Sequence, residues 1–515
     1  MKKHFLNFLI ILVFFLIPSS VIPQKKIDHF YRQVNFEKLD KQILKAIEDL
    51  NAVGLAVGII KDGKVVFEKG YGFKNFETKD PVTTKTLFAI ASCSKAFTAA
   101  SIGMLVDESK LDWNDRVIDR LPNFKLSDPY ATREMRIVDL LSHRSVYNTF
   151  DGDLLWYGTN YSRREVLKRF ELMPAKKSLR IGYGYSNIMF IAAGEVIENI
   201  SGKSWGDFVK EKILNPLEMK YTTTTNSVFN KDMDYALPHI NRNVLGLVNY
   251  DNVAPAASLN SNVEDLLKWL QLWLNKGKLN DSTIILKEKT IDAIFTSQTV
   301  LPGGKGDEIG GRHFMNTAMG WFLSDYTGRK LIQHSGGLPG FLSRVTIVPE
   351  DNLGIVVLTN DESPLYSSLT NYIIDLYLTE KDSDEFSKAI EQQKKNEESK
   401  SKAIEERNAK RITGTSPSQA LENYAGIYED KMYGKAKVTF ENGELNFVLL
   451  PAEKLFYSKM THWHYDSFNI EFADPFLPEG LVTFEINNEG KVRGFKIDLP
   501  NPDFHFYNYH FEKID

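Results

Sequence analysis

The β-prone stretches of this chain fall at the two ends of one long region. Gly54–Ile60 and Lys64–Glu68 are short apolar runs joined across Asp62-Gly63, a dipeptide that favours a tight hairpin. Helical spacing then dominates: Ser92–Glu108, Ile137–Leu141, Ser162–Leu172, Asn187–Ile200, Trp205–Ile213 and Val263–Asn275 all read as helices. Strand candidates return at Met319–Ser324, Lys330–His334, Leu342–Pro349 and Gly354–Asn360, before a helix at Tyr372–Leu378. A helix at Glu37–Leu50 precedes the hairpin. A sheet assembled from both chain ends around a helical middle is an α+β arrangement.

Two further segments differ in character. Glu380–Arg411 is rich in Lys, Glu, Ser and Gln and reads as a solvated helix or a linker. From about residue 418 the pattern becomes short strands and turns: Lys435–Glu441, Glu444–Leu450, Phe468–Phe472, Leu481–Ile486, Lys491–Ile497 and Phe504–Phe511, with Asn442-Gly443 and Glu489-Gly490 at turns. That spacing predicts a small sandwich or barrel. The expected organisation is therefore a helix–sheet domain over 25–380, a charged linker over 381–417 and a β domain over 418–515.

The first residues carry a different message. Lys2, Lys3 and His4 precede an apolar run from Phe5 to Ile17, interrupted only by Asn7 and followed by Pro18-Ser19-Ser20. A charged start, a short apolar core and a small-residue exit describe a secretory signal, placed at 1–24. The run is shorter than the roughly 20 residues that span a bilayer. The expectation is a periplasmic or secreted protein with no integral membrane span after signal removal. The net charge of -4 provides no basic excess for nucleic acid. The single cysteine, Cys93, excludes an intramolecular disulfide and a cysteine-based metal cluster.

The chemistry centres on Ser92-Cys93-Ser94-Lys95. A serine opening a helix has the lysine three residues on along the same face. Buried there, the amine can lose its charge and accept the serine's proton. A chain of this length carries about two Ser-x-x-Lys by chance, and Ser399–Lys402 is such a copy in the charged segment. Ser92 differs in lying between Phe88-Ala89-Ile90-Ala91 and the apolar residues of a helix. Tyr185-Ser186-Asn187 is the second element, at the start of a helix; its tyrosine can share the role of base, and its asparagine can hold a substrate amide. Tyr250-Asp251-Asn252 repeats that spacing in a loop. His334-Ser335-Gly336-Gly337 is the third, where glycines allow close approach of a backbone and a strand N–H can join that of Ser92 in an oxyanion hole.

In this order and setting, with Leu140-Leu141-Ser142-His143 and Gly320-Trp321, the chain resembles the serine β-lactamase and penicillin-binding superfamily over roughly residues 30–380. The likeness is strongest to the class C β-lactamase and D-Ala-D-Ala carboxypeptidase branch. The resemblance implies a β-lactamase/transpeptidase-like fold. It implies Ser92 as acylated nucleophile, Lys95 and Tyr185 as the base pair, and Asn187, His334, Ser335 and Gly336 as substrate contacts. Backbone N–H groups of Ser92 and Gly337 would form the oxyanion hole, and no metal or organic cofactor is needed. His334 stands at the position where dedicated β-lactamases have lysine, which favours peptidase and esterase relatives. Arg144-Ser145-Val146-Tyr147 and Ala257-Ser258 also depart from the pattern.

Tyr424-Ala425-Gly426 and Tyr428 resemble the opening of the lipocalin-like domain appended to some members. Such a domain would cover the active-site mouth, mediate assembly into a homo-oligomer, or bind an apolar group. His462-Trp463-His464 sets two imidazoles on one strand and is read as structural, not as a metal site. The implied substrates are small peptides, amides or esters. The alternative is a binder that is acylated slowly or not at all, or one whose working part is the C-terminal β domain.

Overall fold

The computed structural model describes residues 34–301, 312–380 and 382–514. The expected signal at 1–24 lies outside them. Helix α1 (Phe36–Asp49) is capped by Asn35, whose side chain accepts from the Lys38 N–H. The expected hairpin forms from β1 (Gly54–Lys61) and β2 (Lys64–Asn75) around Asp62-Gly63. Helices α2 (Ser94–Asp107), α3 (Asn187–Ser201) and α4 (Val263–Leu274) follow. The late strands are β3 (Phe322–Tyr326), β4 (Arg329–Leu338), β5 (Phe341–Val348) and β6 (Leu353–Thr359), and α5 (Leu365–Leu378) closes the region.

One nine-stranded sheet results. β1 pairs antiparallel with β6, so the N-terminal hairpin and the late strands are hydrogen-bonded neighbours; the order is β2-β1-β6-β5-β4-β3, with two- and three-residue strands at the edges. One face packs on α1 and α5 through residues such as Ile43, Val57, Ile355 and Ile373. The other packs on the helical middle through Val345, Val356, Phe97 and Trp269. Helix α2 is buried on all sides from Ser94 to Leu105, as a largely apolar helix tends to be. Phe97 stacks on Trp269 with ring centroids 4.0 Å apart, and each such buried side chain contributes roughly 1.5–3 kcal/mol.

The charged segment is a helix, α6 (Glu385–Ala409), not an unstructured linker. Its i,i+4 pairs, such as Lys395–Glu391, lie on solvent. Its far end is tied to the β domain: Trp463 lies 4.8 Å from the Arg407 guanidinium and 4.9 Å from that of Arg411.

The C-terminal segment is a closed eight-stranded antiparallel barrel. Its strands are β7 (Gly426–Asp430), β8 (Gly434–Glu441), β9 (Glu444–Leu449), β10 (Tyr457–His464), β11 (Ser467–Ile470), β12 (Gly480–Ile486), β13 (Val492–Asp498) and β14 (Phe511–Lys513). The strand expected at Phe504–Phe511 is instead a loop with a 3-10 turn at Phe506–Asn508, and only β14 pairs. Buried rings of Tyr428, Phe447, Phe484, Phe495 and Phe511 occupy the barrel interior at centroid separations of 4.8–6.0 Å. The barrel is filled by its own side chains, so an apolar ligand at its centre is not supported. His462 and His464 serve structure: His462 Nε2 donates to the Tyr465 carbonyl at 2.9 Å, and His464 Nδ1 accepts from the Ile412 N–H at 3.3 Å. No helix of the described residues is long and apolar enough to cross a membrane.

Candidate active site

Ser92 does not begin α2 but sits one turn earlier, in a 3-10 turn at Ala91–Cys93. Ala91 is held at φ +48°, a conformation costing about 1 kcal/mol or more in a non-glycine residue. The turn is fixed from several sides: the Ser343 hydroxyl donates to the Ile90 carbonyl at 2.8 Å, and the Cys93 thiol to the His334 carbonyl at 3.4 Å. Ser92 itself stays partly exposed on a cavity of about 560 Å³.

Lys95, fully buried, directs its ammonium at three acceptors: Ser92 Oγ at 3.0 Å, Asn187 Oδ1 at 2.6 Å and the Ala256 carbonyl at 3.0 Å. Burial pulls its pKa down to about 7, against the opposing charge of Asp153. Near neutral pH a large share of this amine is therefore unprotonated and able to take a proton from Ser92.

Tyr185 precedes α3, whose N-cap is Ser186. Gly184 donates its N–H to the His143 carbonyl at 3.0 Å, the Tyr185 N–H donates to the Thr149 hydroxyl at 3.2 Å, and the Tyr185 carbonyl accepts from the Phe150 N–H at 2.8 Å. A Cβ on Gly184 would lie 2.0 Å from the Tyr147 carbonyl oxygen; this approach requires glycine. The Tyr185 ring lies over Lys95 (4.8 Å to the centroid) and stacks on His143 at 4.2 Å. Burial pushes the phenol well above its ordinary value, and its hydrogen bond with Ser92 only partly offsets this. The tyrosine keeps its proton; of the expected base pair, Lys95 is the member poised to accept one.

Asn187 departs from the expected role. Its Oδ1 is occupied by Lys95, and its Nδ2 donates to Asp153 Oδ2 at 2.6 Å. It links the lysine to a carboxylate rather than presenting a free amide to substrate.

The third motif lies inside β4, which continues to Leu338 instead of ending at His334. β3 pairs with β4 only up to Gln333, so the stretch holding His334, Ser335, Gly336 and Gly337 lines the cavity with β5 as its partner. A Cβ on Gly336 would come 2.2 Å from the Ile90 carbonyl oxygen; glycine lets β4 lie against the serine turn. His334 is not the expected cation. Burial, then the charge on Lys95, push its imidazole down to about 3. Nδ1 donates to the Ser335 carbonyl at 2.6 Å, and buried Nε2 has no partner among the described residues. This is a neutral ring with an unused acceptor.

Comparison with known proteins agrees with this geometry. The family described as Beta-lactamase matches residues 39–378, well over half of the sequence. The chain belongs to the beta-lactamase family. A domain of unknown function (DUF3471) matches 410–513, the barrel with its preceding turn. Unguisins hydrolase ungD' of Aspergillus campestris is 30% identical over 344 residues, 64% of this chain and 62% of that protein. Protein flp of Staphylococcus aureus (strain MW2) is 26% identical over 347 residues, 65% of each. The matches thus span less than two thirds of these curated relatives. Among solved structures, the octameric penicillin-binding protein homologue from Pyrococcus abyssi superposes with a TM-score of 0.60 at 22% identity, covering 93% of this chain and 100% of that one. SurE with D-Leu gives 0.53 at 17%, covering 93% and 99%. Both likenesses establish the fold, barrel included.

Several residues of this beta-lactamase-family site lie outside the three motifs. Asp153, buried in a turn after Gly152, has its carboxyl raised to about 7 by burial, against the hydrogen bond from Asn187. His143 orients Tyr185 and accepts the Ser186 N–H on Nδ1 at 3.1 Å. Arg344, on β5 opposite Ser335, is 8% exposed; Nη2 bonds Gln333 at 2.5 Å, Nε has no partner, and among the described residues no carboxylate pairs with it. The barrel contributes Phe476, Asp503 and Phe504 to the cavity wall. Phe504 stacks on Tyr157 at 4.1 Å, and His505 Nδ1 lies 3.2 Å from Asp151. Asp153, Arg344, Phe476, Asp503 and Phe504 stand in no spacing that marks them in the sequence; they reach the cavity only through the tertiary fold.

Proposed function

We propose that this chain is an exported serine hydrolase that works through an acyl-enzyme on Ser92, taking amide or ester substrates that carry a free carboxylate. The observation behind this reading is the 3.0 Å contact between Ser92 Oγ and a buried Lys95 amine whose pKa falls to about 7. Lys95 takes the serine proton as Oγ adds to the carbonyl carbon. The tetrahedral oxyanion is held by the Ser92 and Gly337 N–H groups. Tyr185, a retained phenol bonded to Ser92, passes its proton to the departing amine or alkoxide and is reprotonated by the Lys95 ammonium, which frees Lys95 to act again as base. Water then repeats the addition, and the acyl group leaves as a carboxylic acid.

Arg344 supports the carboxylate. A buried guanidinium with no anionic partner among the described residues is suited to a planar anion supplied by the substrate. His334 Nε2 offers an acceptor to a substrate N–H on the same wall. A relative 30% identical over the matched region is named as a hydrolase, which agrees with turnover rather than passive binding. Export rests on the charged-apolar-small pattern of residues 1–20.

The test is intact mass after exposure to a fluorophosphonate, comparing wild type with Ser92→Ala, followed by turnover of nitrophenyl esters and N-acyl peptides. One adduct on the wild type and none on the variant is expected. Equal labelling of both, or of neither, would overturn Ser92 as the nucleophile.

A further inference from the structure

Beside the catalytic cavity lies a second one of about 350 Å³, and the two share Leu338 and Pro339 as a common wall. We propose that this second cavity is a subsite for a large uncharged apolar group of the substrate, built jointly by the hydrolase domain and the barrel. The inference rests on the acyl-transfer reading for its substrate.

Three observations carry it. The first is the lining. One side is the 244–248 segment, including Leu245 and Leu247; the other is Leu455, Ala473 and Pro475 from the barrel. Leu247 is left 40% exposed, so part of this apolar surface is uncovered by the described residues. The volume is of the class that holds a small-molecule group.

The second is charge. None of the lining residues is basic. The single carboxylate, Asp474, is fully engaged: Oδ2 accepts from the Tyr157 hydroxyl at 2.6 Å and Oδ1 from the Phe476 N–H at 3.0 Å. An anionic ligand would find no counter-ion among the lining residues, whereas an alkyl or aryl group would meet the side chains of Leu245, Leu247, Leu338 and Leu455.

The third is position. Ala257 lines this cavity, and its neighbour Ala256 holds the Lys95 ammonium through its carbonyl. Leu338 follows directly on Gly337 of the catalytic strand. A group extending from an acyl carbon at Ser92 past Leu338-Pro339 enters this space. The hydrolase domain supplies most of the lining and the barrel closes one side through Leu455, Ala473 and Pro475, which gives the appended barrel a role in substrate choice.

Each methylene moved from water into such a site multiplies affinity by about four. The test therefore uses the full chain carrying Ser92→Ala, titrated calorimetrically with N-octanoylglycine and N-acetylglycine, so that binding is read without turnover. The octanoyl compound is expected to bind at least about tenfold tighter. Filling the cavity should close that gap to about threefold or less while leaving N-acetylglycine unchanged. Gly246→Leu is the first filler, since a Cβ there meets nothing within 4 Å; Ala473→Phe fills from the barrel side and serves if the first misfolds. Equal affinity for both compounds, or a gap that survives both fillers in folded protein, overturns the subsite. Fluorophosphonate labelling reports separately on the catalytic reading.

Discussion

Asn187 Nδ2 donates to Asp153 Oδ2 at 2.6 Å, deep under the nucleophile. Because the same amide accepts from Lys95 on its other end, Asp153 acts on the lysine through one intervening side chain. Where Asp153 is ionised, its own value being raised to about 7, its negative charge favours the ammonium form of Lys95. In Asp153→Asn that support is gone, and Lys95 should lose its proton at lower pH. The acid limb of kcat/KM is expected to move to lower pH, with a plateau loss well below the ~10²-fold of a missing general base. A full pH profile on a nitrophenyl ester checks this, and an unmoved limb would separate Asp153 from the lysine.

Lys95 sets the larger pH effect. Catalysis requires the neutral amine, whose folded pKa is about 7. Activity should rise with pH through that value and level off above it. Lys95→Ala should lower kcat by about 10²–10⁴-fold and erase that limb, while Tyr185→Phe should spare the limb, because burial keeps the phenol protonated far above this range.

Arg344 should act on binding of one substrate class. With Arg344→Gln, a carboxylate-bearing substrate is expected to lose about 1.5–3 kcal/mol of binding, roughly a ten- to hundredfold rise in KM. A neutral ester of the same acyl group should be hardly affected. Equal losses on both would assign Arg344 to folding of the β4–β5 wall.

The barrel docks partly through a titrating pair. The hydrogen bond to Asp151 raises the His505 pKa, against the effect of burial. A histidine with a raised folded value stabilises the protein fully below its unfolded value of about 6.5. That contribution disappears as pH rises through the folded value. His505→Ala should therefore lower stability by about 1–2 kcal/mol at pH 5.5 and by much less at pH 8.5. Thermal melts of both proteins at the two pH values measure it.

The hairpin, the buried α2 helix and the three motifs were legible in linear order because each is a local pattern. A Gly at a turn, an apolar run or a serine three residues before a lysine states its own preference without help from distant residues. The barrel's existence was legible for the same reason, although β7 and β10 were not singled out and the 504–511 segment was misread as strand. Its aromatic alternation is real, but Asn501 and the 3-10 turn at Phe506–Asn508 lead that backbone out of the ladder.

What local pattern could not supply is burial. His334 is an ordinary histidine in the sequence and becomes neutral because β4, β3 and the serine turn enclose it beside Lys95. Asn187 loses its free amide to Asp153, which is brought in from 34 residues away. Arg344 becomes a buried cation with no counter-ion among the described residues, and Phe504 becomes an active-site wall, through pairing and docking between distant segments. Which groups carry the chemistry follows from residue type and short spacing; their charge states and the shape of the pocket follow from what surrounds them in space, since desolvation depends on neighbours that spacing along the chain does not encode.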